Sequence, residues 1–167
     1  MLLRLRPDHV RLVPGLTPPR AAALQVPGVP APLGCAAGRH PIAQLCWRAD
    51  GRLLLAPAAW ALDSAGAVAW LPAVTPRGPR GPVPGALVIE HHHPYRATRM
   101  AGVCLRGRLR PDPSAAGIVA ARYEGVLPAG TGVRLEVTRV TWWRGFEVRS
   151  LWRAAARRTA REPARVR

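Results

Sequence analysis

A chain of 167 residues has the size of one domain, and its 49% hydrophobic content excludes a disordered polypeptide. No apolar run is long enough to cross a membrane as a helix, and Arg4, Arg6 and Asp8 interrupt any signal-peptide core, so we expect a cytoplasmic protein without a membrane partner. The net charge of +16 would ordinarily suggest nucleic acid, but all 25 basic residues are Arg, with no Lys and no Asn beside abundant Ala, Gly and Pro. That usage follows GC-rich codons, so solvated surface arginine is the expectation and nucleic acid is not an expected partner. The excess still calls for anions, and a phosphate-bearing cofactor is one candidate.

Residues 1–16 read as an irregular arm rich in Arg and Pro. Thr17 suits a helix N-cap, with Pro18 in the first turn and a short helix over Pro19–Gln25, stopped by Pro27, Pro30 and Pro32. From Leu33 the pattern changes to strands. Ile42, Gln44 and Cys46 alternate with Ala43, Leu45 and Trp47, the period of a strand. Asp50-Gly51 marks a hairpin, and Arg52–Trp60 reads as the returning strand.

The stretch 61–85 is less defined. Ala61–Gly66 reads as a helix start or a loop, Ala67–Val74 as a short apolar run. Thr75–Gly85 reads as a loop, with four Pro and three Gly in eleven residues. Ala86–Glu90 is a strand, His91–Arg99 a connection, and Met100–Arg110 a long alternating strand. Ala115–Tyr123 has helical character. Val133–Ser150 reads as one long strand in which Leu135 and Val137 give way to Val140 and Trp142, so a bulge or register change falls between them. The Arg-rich tail 153–167 reads as a frayed helix or disorder. These elements predict a mainly β domain over 17–152 with few short helices, arranged as a small barrel.

Several motifs then resemble, in order, the FMN-binding split-barrel family related to pyridoxamine 5'-phosphate oxidase. They are the turn Gly38–Pro41, the strand Ile42–Trp47, the Asp50-Gly51 hairpin with Arg52–Ala56, the strands Ala86–Glu90 and Val103–Arg108, and the closing RLEVTRVTWWRGF. The resemblance spans roughly residues 17–150 and rests on order and spacing. It implies a six-stranded antiparallel split β-barrel, a homodimer, and FMN, or a deazaflavin in its place, at the dimer interface. It also implies an oxidoreductase of unspecified substrate.

Carried over residue by residue, Arg48 ends the second family strand, and Trp60 and Ser64 fall in the segment that usually holds phosphate. Trp143 matches the Trp of the closing W-x-G motif, and Arg149 and Arg153 follow it at the family's offsets. Two departures stand out: APAAWALDS (Ala56–Ser64) lacks the basic phosphate ligand, and Leu151 replaces the His found between the two arginines of the oxidases. They motivate two other readings, a cofactor-free barrel dimer that binds or scaffolds, and a basic nucleic-acid-binding barrel.

Other signals are weaker. Cys35, Cys46 and Cys104 form no paired motif and read as buried thiols. His91, His92 and His93 alternate in direction if extended, and read as a solvated turn before Pro94. Ser64, Ser114 and Ser150 lie in no nucleophile motif, and no P-loop is present. Of Trp142 and Trp143, one must face the core and the other outward, at an interface or stacked on a ring.

Overall fold

A computed structural model of the chain describes residues 42–63, 65–73, 78–91, 100–123 and 129–152, with Val29, His40, Thr75, Thr98 and Leu127. The Pro19–Gln25 helix, Cys35 and most of the His91–Arg99 connection, including His92 and His93, lie outside these residues.

Among the described residues, seven strands form one antiparallel sheet. Strand β1 (Ile42–Ala49) turns at Asp50–Gly51 into β2 (Arg52–Asp63). Both turn residues have positive φ, 50° and 73°, and Ala49 pairs directly with Arg52. This two-residue turn needs left-handed backbone twice, which Asp tolerates and Gly adopts freely. Strand β2 outruns β1 and continues into β3 (Gly66–Pro72) through a second tight turn. There the Asp63 carboxylate accepts the backbone N–H groups of Ala65 and Gly66, each at 2.9 Å. The segment read as a helix start or loop is therefore a hairpin, held by a side chain that mimics a backbone acceptor.

Strand β4 (Val83–His91) begins inside the stretch expected to be loop, because Val83 and Pro84 pair with Leu109 and Arg108 of β5 (Ala101–Pro111). Pro84 is tolerated there because β1 pairs with β4 only from Gly85 onward. Strand β6 (Gly130–Arg144) pairs along β5 and closes the barrel against β3, from Ala67–Leu135 to Pro72–Gly130. The barrel thus has six strands in the cyclic order β1, β2, β3, β6, β5, β4. Beyond it, the single closing strand expected from sequence is a hairpin: the chain reverses at Gly145–Phe146 into β7 (Glu147–Trp152), which pairs only with the second half of β6. The expected register change is present. Arg106 pairs with Arg139 but Gly107 with Val137, so Thr138 is the extra residue of a bulge.

Alternation fills the interior. Leu45, Trp47, Trp60, Leu87, Leu105 and Leu135 are fully buried inside the barrel. One short helix, α1 (Ala115–Ala120), covers the outer face of β2 and β3, packing Ala115 and Val119 on Ala59, Ala61 and Val68. No helix among the described residues is long and apolar enough to cross a membrane.

A buried ion cluster ties these layers together. Arg134 on β6 donates from Nε to Asp112 at 2.6 Å and from Nη1 to Asp63 at 2.7 Å. Asp112 also accepts the Ser114 hydroxyl at 2.6 Å and the Ser114 N–H at 2.9 Å, just before α1. For Asp63, burial is the largest influence and raises its pKa, but the bonds from Arg134, Ala65 and Gly66 together outweigh it and hold the carboxyl below its ordinary value. For Asp112 the Ser114 hydroxyl contributes most and lowers the pKa, burial opposes it, and Arg134 adds to the lowering.

Both carboxyls therefore ionise more readily when folded. Their stabilisation is complete above the ordinary carboxylate range, about pH 4, and is lost as pH falls through the lowered folded values. Arg134→Met is expected to cost about 3–5 kcal/mol near pH 7 by leaving the buried Asp112 and the half-buried Asp63 carboxylates without a cation. It should also weaken the acid sensitivity. Urea unfolding of both proteins at about pH 7 and about pH 3 checks this, and equal stabilities at the higher pH would contradict it.

Candidate functional site

Strand alternation gives the barrel wall a second, outward surface. Over β1, β4, β5, β6 and β7 it carries Cys46 and Arg48, Ala86, Val88 and Glu90, Gly102, Cys104 and Arg106, Arg139, Thr141 and Trp143, and Val148 and Ser150. α1 packs over β2 and β3 and leaves this surface aside. Large apolar side chains stand exposed around it: Leu53 at 74%, Leu55 at 67% and Phe146 at 83%.

Trp143 is the organising residue of this surface. It pairs with Gly102 on one side and Val148 on the other. A Cβ at position 102 would collide with the benzenoid ring of Trp143, so the indole lies directly on the glycine backbone. The tryptophan is half-buried by that seat. Its neighbour Trp142 faces the other way and packs against the barrel core, as the one-in, one-out expectation requires.

The other sequence-derived site residues are placed differently. Arg48 is exposed near the Asp50–Gly51 turn, paired with Leu53. It shares the outer surface with Trp143 but lies at the opposite end of the strands, about 20 Å away along β4 by strand rise. Arg149 pairs with Trp142, on the opposite side of the β6–β7 ribbon from Trp143, and holds Glu147 at 2.8 Å. Ser64 and Arg153 lie outside the described residues. Within one chain the described members of the set do not converge.

Trp60 has an architectural setting that the sequence did not reveal. It is 1% exposed, inside the barrel. It sits one residue beyond the last β1 partner, Ala59, so among the described residues no strand pairs with its backbone on that edge. The Tyr123 hydroxyl fills the gap, accepting the Trp60 N–H and donating to the Trp60 carbonyl, each at 3.1 Å. Arg122 donates to the same carbonyl at 2.9 Å and stacks its guanidinium 3.7 Å from the indole centroid. The indole Nε1 donates to the His40 carbonyl at 3.0 Å. Burial lowers the Arg122 pKa, against the nearby Tyr123, and burial raises that of Tyr123, so the phenol remains a neutral donor.

The thiols offer little reactivity. Burial pushes the Cys46 pKa up, with Cys104 adding to the effect, so Cys46 is held as the protonated thiol. Among the described residues no group of three His, Cys, Asp or Glu side chains is placed to hold a metal ion.

No protein-family model and no curated protein matches the chain. Solved structures do. An FAD-binding protein from Mycobacterium smegmatis is 15% identical, with 64% of this chain and 87% of that chain covered and a TM-score of 0.46. A pyridoxamine 5'-phosphate oxidase-like protein from Corynebacterium glutamicum is 10% identical, with 62% and 84% covered and a TM-score of 0.44. A third structure is 21% identical, with 67% and 84% covered and a TM-score of 0.48.

The Trp143 seat has a direct test. Gly102→Val is expected to lift the indole off the sheet, to destabilise by about 1–3 kcal/mol through overpacking, and to raise acrylamide quenching of tryptophan fluorescence. If the Gly102→Val and parent proteins quench alike, and Trp143→Phe changes neither, the ring is not seated there. The structural neighbours of this barrel include an FAD-binding protein and a pyridoxamine 5'-phosphate oxidase-like protein.

Proposed function

We propose that the chain is a flavin-binding split-barrel protein, an oxidoreductase working as a homodimer, with the outer surface around Trp143 carrying the ring of FMN or a deazaflavin. The observation that supports this best is the seat of Trp143 on Gly102. A large planar side chain lies on the sheet where a Cβ would exclude it, which makes a flat apolar platform for a second planar ring. The donor set also fits an anionic nucleotide, because the surface is rich in arginine and its described carboxylates are few. Bound there, a flavin would supply the electron transfer, and the protein would bind the ring, orient it and exclude water.

The dimer is part of this reading. Arg48 and Trp143 are offset by about 20 Å along the strands of one chain and lie three strands apart, so a second copy is needed to bring Arg48 to the ring. In the same reading Ser64, Arg149 and Arg153 contribute to the phosphate end. Exposed Leu53, Leu55, Phe146 and Val148 supply apolar surface for association. A cofactor-free dimer is the second reading, favoured by the burial of Trp60 within the segment that resembles the family's phosphate loop.

The deciding experiment is the visible absorbance of the purified protein, followed by titration with FMN. A bound yellow chromophore or saturable micromolar binding is expected, with Trp143→Ala weakening it about three- to tenfold through lost stacking. A colourless protein that FMN does not titrate would leave the cofactor-free dimer.

A further inference from the structure

We infer that the outer wall of the barrel over β1, β4, β5 and β6 is a track for single-stranded nucleic acid, with Arg48, Arg106 and Arg108 on the phosphates and Trp143 under a base.

Inward and outward positions alternate along β5. Val103, Leu105 and Leu109 fill the barrel, so Arg106, Arg108 and Arg110 stand outside, and all three are exposed. Alternate residues of a strand are about 7 Å apart, close to the step between successive phosphates of an extended single strand. Arg48 joins this row from β1. Trp47 pairs with Gly85 and Gly85 with Gly107, so Arg48 stands level with Arg108 on the same side, about 10 Å away across β4. GC-rich codon usage accounts for how many arginines the chain has, not for which of them share a face.

The row stays positive beside its acidic neighbour. Glu136, the cross-strand partner of Arg108, is engaged by Arg110 at 2.9 Å. Arg48, Arg106 and Arg108 are each exposed to solvent. Asp8, Glu124 and Glu162, the acidic residues outside the described ones, are far outnumbered by the arginines of the same segments. A nucleic acid gains from such a row by releasing its own condensed counterions as it lies down, so the gain needs solvated arginines and not strained ones. Arginine also stays charged throughout and meets phosphate with two N–H groups at once.

Trp143 selects the single strand. It stands on the same outer side, four residues along β5 from the level of Arg106, about 13 Å, with its indole on Gly102. An aromatic face stacks any base that is free of its neighbours, whereas a duplex keeps its bases stacked on one another. A basic row and an aromatic platform within about 20 Å suit a few nucleotides without regard to their sequence. The inference is independent of the flavin reading: an oligonucleotide binds or fails to bind whether or not FMN does.

Fluorescence anisotropy of a labelled oligothymidylate of about 12 nucleotides, titrated with the full chain over a range of salt, tests this. Micromolar binding is expected, with a log–log salt slope of about −2, from three phosphates at about 0.7 each. Arg106→Gln and Arg108→Gln should each flatten the slope by about 0.7, and Arg144→Gln, which removes the same charge from the other side of β6, should leave it unchanged. The oligonucleotide should quench tryptophan fluorescence, a duplex of equal length should not, and Trp143→Phe should lose most of the quenching while still binding. Should either β5 variant lower the Tm, Arg48→Gln on a separate strand gives the same reading. No binding at about 50 mM salt overturns the inference, as do slopes that Arg106→Gln and Arg108→Gln leave unchanged or that Arg144→Gln flattens equally. Quenching that survives in Trp143→Phe overturns it too, and so does binding to phosphatidylglycerol vesicles in place of the oligonucleotide.

Discussion

The structure depends on one strand that changes partners along its length. The first half of β6 closes the barrel against β3, and its second half leaves the barrel and pairs with β7. The exchange happens over residues 136–138, where β3 has ended and β7 has not begun, and the Thr138 bulge sits in that gap. A bulge adds twist and shifts side-chain parity by one residue. Val133, Leu135 and Val137 face the core before it, Val140 and Trp142 after it, so β6 keeps an apolar side inward through the change. Without the shift, Arg139 and Trp143 would turn toward the core and Trp142 away from it.

Two polar devices secure the barrel where strand pairing runs out. At one, Arg134 joins the β2–β3 turn through Asp63 to the start of α1 through Asp112. At the other, Tyr123 and Arg122, just past the end of α1, satisfy the backbone of Trp60 beyond the reach of β1. A helix of six residues has little intrinsic stability and is fixed here by its flanks. Buried polar groups demand partners, and the short helix is held in the one position where its flanking residues supply them.

The functional reading grows from the surface left outside these devices. Alternation that fills the core necessarily sends Gly102, Arg106, Arg139, Thr141 and Trp143 to the other side. Most of a barrel's outer wall is ordinary solvated strand. This part carries a tryptophan lying on a glycine and a row of exposed arginines, neither of which the packing of the core requires.

Much of the barrel was legible in the residues themselves. Period-two patterning marked β1, β5 and β6, Asp50-Gly51 marked the first hairpin, and the break between Val137 and Val140 marked the bulge, because each is a local signal carried by neighbours in sequence. The Asp63 turn, the start of β4 at Val83 and the reversal at Gly145–Phe146 were not legible. Each is decided by which strand lies alongside, and the turn residues alone fit a loop or a continuous strand equally well. The same holds for the candidate site. Trp143 could be singled out from its own motif, but its seat on Gly102 joins residues 41 positions apart, and Arg48 stands level with Arg108 only through the register of β4. Sequence determined which side chains alternate. Only the closed sheet, through its register, decided which of them meet, sending Trp60 into the core and leaving Trp143 on the surface.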